Sequence, residues 1–97
     1  MALGKYKLYE GERKRYTISY EEWLEDGEQV FSAEYEVQNE TDPELVIDAN
    51  VINDGNVSVT FFVSGGVAGE TYEVVITMTT SGGQIRKDEV IYVIGEI

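Results

Sequence analysis

A chain of 97 residues with no cysteine and no histidine offers no disulfide, no thiol nucleophile, no imidazole base and no Cys/His zinc site. Its net charge of −12, from 7 basic and 19 acidic residues, repels phosphate backbones and anionic lipid, which argues against nucleic acid or a membrane surface as partner. The longest apolar runs are four or five residues, too short for a spanning helix, and Met1-Ala2-Leu3-Gly4 lacks the charged-then-apolar start of a signal peptide.

In chain order, the pattern is one of strands. Lys5-Tyr6-Lys7-Leu8-Tyr9 reads as a short edge strand, since lysines suit an unpaired edge. Tyr16, Ile18 and Tyr20 then alternate with Thr17 and Ser19, and Phe31, Ala33, Tyr35 and Val37 alternate with Ser32, Glu34 and Glu36. Leu45, Ile47, Ala49 and Val51 form the next inward set, with Val46 and Ile52 blurring it. Val57, Val59, Phe61 and Val63 follow, then Tyr72, Val74, Ile76 and Met78. The last segment, Val90 to Ile94, is apolar on both faces. Seven strands at this spacing predict an all-β sandwich filling one domain, residues 1–97. Glu21-Glu22-Trp23-Leu24 breaks the alternation and reads as a helical turn that plugs one end with Trp23 and Leu24.

Two turns refine this. A three-residue loop Asn53-Asp54-Gly55 sets Val51 opposite Val57, Ala49 opposite Val59 and Ile47 opposite Phe61, so every inward residue meets another. A two-residue loop mixes the faces. Ser81-Gly82-Gly83 closes the final hairpin.

Gly69-Glu70-Thr71-Tyr72 ahead of a strand resembles the tyrosine corner of immunoglobulin-like and fibronectin-III-like domains, in which the Tyr hydroxyl reaches back to a backbone group upstream. That resemblance implies a seven-stranded immunoglobulin-like antiparallel sandwich. Its strands are 5–9, 14–20, 29–37, 44–52, 56–64, 71–80 and 84–94. The first, second, fifth and fourth share one sheet, and the third, sixth and seventh share the other.

A narrower resemblance rests on three blocks: Tyr-Thr-Ile-Ser-Tyr-Glu-Glu-Trp-Leu (16–24), Val-Ser-Gly-Gly-Val-Ala-Gly-Glu-Thr-Tyr (63–72) and Thr-Thr-Ser-Gly-Gly (79–83). Together they are similar to small virion proteins of tailed bacteriophages, the fibre–tail adaptor or head-decoration-like proteins. The first block resembles a D-Y-T-I-D-W-x-x-W-L pattern, with Ser19 and Tyr20 standing where Asp and the first Trp are usual. The resemblance implies a structural virion protein made in the host cytoplasm, without catalysis or cofactor. Its leading role is an adaptor between tail or connector and fibres, in several copies around a ring. A capsid decoration protein is the alternative.

Residue chemistry agrees with a non-enzyme. Glu21, Glu22, Glu25, Asp26 and Glu28 match no calcium-loop spacing and read as a solvated acidic loop. A two-carboxylate glycosidase needs a sugar cleft that so small a sandwich hardly has room for. Ser and Thr lack a base to activate them. A carbohydrate-binding module, a third reading, presents solvent-facing aromatics, whereas Trp23 reads as buried.

Charge distribution is the stronger hint of an interface. Five of the seven bases lie in residues 1–15, namely Lys5, Lys7, Arg13, Lys14 and Arg15, whereas residues 16 to 85 hold 14 acids and no base. The plain reading is an acidic surface that keeps the domain apart from its neighbours. The sharper one is a dipolar subunit whose basic arm, with Tyr6 and Tyr9, meets another virion protein through salt-sensitive contacts. On that reading, deleting residues 1–9 leaves a folded domain that no longer assembles. The alternative packs Tyr6 and Tyr9 on the domain's own sheet edge. On the last strand, Val90, Tyr92 and Ile94 lie on one face and Ile91 and Val93 on the other. The outward set joins Val75 in an apolar strip beside Glu34 and Glu36, unless chain ends cover it. Val75 and Tyr92 are its candidate contact residues.

Overall fold

The computed structural model describes residues 2–38, 45–53 and 55–95, at positions 2 and 3 the backbone alone. Seven strands form there: β1 Ala2–Tyr9, β2 Arg13–Ser19, β3 Val30–Val37, β4 Leu45–Ile52, β5 Ser58–Gly65, β6 Thr71–Thr80 and β7 Ile85–Gly95. They make a sandwich of two sheets, one ordered β1-β7-β6-β3 and the other β2-β5-β4. Every pair is antiparallel except β1 with β7, which is parallel.

That parallel pair corrects the expected topology. The first strand joins the sheet of the third, sixth and seventh, and the sandwich is not wholly antiparallel. A tight corner explains it. Gly11 takes φ +90°, the Glu12 N–H donates to the Tyr9 carbonyl at 2.9 Å, and the Glu12 side chain accepts from the Tyr9 N–H at 2.8 Å. The chain therefore crosses between sheets instead of folding back as a hairpin. Leu8 is drawn fully into the core, and lysines face out along a free edge as expected.

Alternating residues supply the core. Val59, Phe61 and Val63 of β5 face Val74, Ile76 and Met78 of β6 and Val90, Tyr92 and Ile94 of β7, all almost wholly buried. Each such side chain contributes about 1.5–3 kcal/mol of transfer free energy. Trp23 and Leu24 pack against this core from a turn in which their N–H groups both donate to the Tyr20 carbonyl at 2.9 Å. The expected plug is a single hydrogen-bonded turn with Trp23 and Leu24 half-buried.

Two bulges overturn the expected facing of single residues. The β4–β5 register runs Ile47 to Val63 and Asp48 to Phe62, then resumes at Val51 to Thr60 and Ile52 to Val59. Ala49 and Asn50 are thus the extra pair against Phe61, and Ala49 sits at φ +54°. The shift turns Ile52 inward and leaves Ala49 exposed and Val51 53% exposed. The connecting loop is longer than three residues: the Asn53 N–H donates to the Ser58 carbonyl at 3.0 Å, and the Asn53 amide bonds Ser58 and Thr60. Gly55 and Asn56 both lie at positive φ, while Asp54 is outside the described residues. The second bulge, between Val30 and Ser32, buries Val30 and pushes Phe31 out to 70% exposure.

The tyrosine corner is formed. Tyr72 is buried and its hydroxyl accepts a hydrogen bond from the Val67 N–H at 3.0 Å. Tyr72→Phe removes that acceptor and should lower stability by about 1 kcal/mol. Urea denaturation measures it, and an unshifted midpoint would mean that water replaces the bond at no cost.

Candidate functional site

The fold divides the basic arm among three places. On β1, Lys5, Lys7 and Tyr9 face outward, with the Lys7 ammonium 5.0 Å from the centre of the Tyr9 ring. Tyr6 points the other way, its ring 5.1 Å from Tyr16 and 6.0 Å from Tyr92. On β2, Arg13 lies across the outer face of the opposite sheet, 4.0 Å above the Phe62 ring and 3.2 Å from the Asp48 carboxylate. Arg15 shares that outer phase, and Lys14 is exposed on the phase between. Arg13 and its partner are half exposed, so the pair adds little to stability, but it holds the guanidinium against its own sheet. The arm is strand material on two faces, not one contact surface.

Tyr92 corrects a second expectation. Val90, Tyr92 and Ile94 are the inward set, and Tyr92 is wholly buried among Tyr6, Tyr16 and the core, so it presents nothing to a partner. Ile91 and Val93 are the outward set. They lie half-buried beside Lys5 and Lys7 on one flank and Glu73 and Thr71 on the other. Val75 continues this strip, paired to Glu36 of β3 and Glu89 of β7. The outer face of the four-stranded sheet therefore runs from a lysine edge on β1 to a glutamate edge on β3, and its two middle strands carry Ile91, Val93 and Val75 together with Lys87, Glu89 and Glu73. At one end of it stand Phe31 and Ile85, the two most exposed large hydrophobics among the described residues, at 70% and 64%. Alternation alone places Phe31 inside. The signal that reverses it is the adjacent Val30, which makes two apolar residues in a row.

The acidic loop anchors the opposite hairpin. Thr80 donates to Glu28 Oε2 at 2.6 Å, the Gln84 amide reaches Glu25 and Glu28, and the Gln29 N–H donates to Ser81 Oγ at 3.1 Å. Beside it a cleft of about 390 Å³ is lined by Ser19, Glu21, Glu22, Trp23 and Arg86. Arg86 does not stand alone: its Nε donates to the buried Asp88 carboxylate at 2.8 Å, and its guanidinium lies 5.3 Å from Trp23 and 6.0 Å from Tyr20. Trp23 is thus half-buried under a cation and offers no open platform for a sugar.

Burial pushes the hydroxyl of Tyr20 up to about 12, with Asp88 adding to the rise and Arg86 opposing it. Burial likewise raises Tyr16, Tyr35 and Tyr92. The unfolded chain ionises these groups at their ordinary value, whereas the folded chain keeps their protons. Their stabilisation is therefore complete below about pH 10 and is lost as pH rises toward the folded values. Urea midpoints should fall between about pH 9 and pH 11, and a level midpoint would contradict this burial.

A small two-sheet sandwich with a sheet face graded from lysine to glutamate, and aliphatic residues interspersed, has the make-up of a structural binding protein. The chain belongs to the family described as podophage GP4 fiber-tail adaptor protein gp77, whose model matches residues 9–93. It is accordingly a bacteriophage structural protein and a virion component. No curated protein matches it.

Proposed function

We propose that this protein is a non-enzymatic adaptor that joins the tail or connector of a podophage particle to its fibres, in several copies around the tail. The observation that carries the reading is the family match over residues 9–93. An immunoglobulin-like fold fits the same role: the tyrosine corner and the two-sheet arrangement support it, and a rigid sandwich keeps two binding faces at a fixed distance. The lysine-bearing edge and the strip of Val75, Ile91 and Val93 are the surfaces assigned to contact within the virion, further copies of this chain included.

Particles made without this protein should have filled heads and tails but lack fibres. Quantitative mass spectrometry of purified virions should count tens of copies or fewer. Hundreds of copies, with fibres retained on the depleted particle, would replace the adaptor with a capsid decoration protein.

A further inference from the structure

The outer face of the four-stranded sheet differs in charge from the rest of the molecule. Its outward lysines are Lys5, Lys7 and Lys87, three of the four in the chain. Its outward acids are Glu34, Glu36, Glu73 and Glu89. Three lysines against four glutamates leave this face one negative charge, in a chain that carries −12. The two signs are also separated: Lys5 and Lys7 lie on the β1 edge, and Glu34 and Glu36 lie three strands away on β3, about 14 Å across the sheet. Between them the half-buried Val75, Ile91 and Val93 share β6 and β7 with Lys87, Glu89 and Glu73, so the charge grades from +2 on β1 through 0 on β7 and −1 on β6 to −2 on β3.

We propose that this face binds a second copy of the same chain, sheet upon sheet, about a two-fold axis parallel to the strands. The charge order selects that axis. A rotation about the strand direction sets the lysine edge of each copy over the glutamate edge of the other and β7 of each copy over β6 of the other, so the aliphatic residues meet as neighbours on adjacent strands. Levels along the strand are kept, so Phe31 and Ile85 at one end of the face meet the same end of the partner. Lys5 lies on the level of Glu73, one outward step from that of Glu36, within the reach of a lysine side chain. A rotation about the perpendicular direction in the sheet plane sets lysine over lysine and glutamate over glutamate.

Pairing through the edges of this sheet is closed to the two copies. Along β3 the Val30 N–H donates to the Asn56 carbonyl at 2.7 Å and the Ala33 carbonyl accepts from the Asn50 amide at 3.4 Å, so the hairpin of the other sheet occupies that edge. Two β1 edges brought together oppose their lysines. The face itself measures about 19 by 27 Å, roughly 1,000 Å² buried over both copies, at the lower bound of a specific interface. The dimer is therefore weak in free solution and gains from the high local concentration of an assembled particle.

Sedimentation equilibrium on the full chain tests this at roughly 0.1–1 mM, where so small an interface is populated. The weight-average mass should rise toward twice that of the monomer. Lys5→Glu with Lys7→Glu, or Glu34→Lys with Glu36→Lys, should each hold the chain at the monomer mass, and all four together should restore association. Phe31→Ser with Ile85→Ser, two exposed positions outside the core, should weaken association at least tenfold with an unchanged thermal melt. A wild-type chain that stays monomeric overturns the proposal. So does association that survives both single-edge reversals, or a four-fold variant that melts like the wild type and remains monomeric.

Discussion

Removal of residues 1–9 is expected to leave a chain without a cooperative thermal transition. The basic arm reads as detachable from its charge, yet its backbone is an edge strand of the larger sheet, in register with β7 from Gly4–Val90 to Tyr9–Gly95. Leu8 is 0% exposed, and Tyr6 completes a ring cluster with Tyr16 and Tyr92. Leu8→Ala alone should cost about 2–5 kcal/mol. Loss of the whole strand adds the exposure of Tyr92 and Ile94 and the backbone bonds along β7, which together rival the roughly 5–15 kcal/mol that holds a domain of this size. Circular dichroism melts of the truncated chain, Leu8→Ala and Lys5→Ala should rank in that order of damage, with Lys5→Ala near neutral. A truncated chain that melts at the full-length temperature would make β1 dispensable to the fold and return the arm to a purely docking role.

Gly66→Ala should be the most damaging single-methyl change. Gly66 sits at φ +88°, where a side chain costs about 1–2 kcal/mol. Its Cβ would lie 2.8 Å from Ile94 Cγ1 and 2.9 Å from Cδ1, and Ile94 is 1% exposed with nowhere to move. Such overpacking adds typically 1–3 kcal/mol. Gly69 is the control: its φ is +89°, yet nothing lies within 4 Å of the position its Cβ would take. Gly69→Ala should therefore show the backbone strain alone. Equal losses of urea stability for the two variants would mean that Ile94 yields.

Most of the strands were legible because one face of each is wet, so period-two alternation records burial directly. Val59, Phe61 and Val63, or Val74, Ile76 and Met78, needed nothing more. Tyr72 was legible because the glycines before it require a corner. Bulges hid the rest. The extra residue at Ala49-Asn50 moves Val51 and Ile52 to the faces opposite those expected, and the one at Phe31 expels that side chain alone; the only local marks are the apolar neighbours Ile52 and Val30. The sheet of β1 was hidden too, since pairing between the first and last strands depends on contacts some eighty residues apart. For the surface, charge along the chain singled out Lys5, Lys7 and Lys14 but not their grouping in space. Arg13 sits a few residues from Lys7, yet a corner at Gly11 sends it to the opposite face.

The parallel pairing of β1 with β7 also decides how the domain responds to tension. Because the two strands run the same way, a pull applied at Ala2 and Gly95 slides them past each other lengthwise. Their backbone bonds are then loaded together and must break together, whereas an antiparallel hairpin gripped at its open end peels bond by bond. Forced rupture is a matter of unfolding rate rather than of equilibrium stability. The shear geometry raises that barrier for a load applied at the two strand ends, so resistance to pulling is set by this pairing and not by the equilibrium stability of the domain.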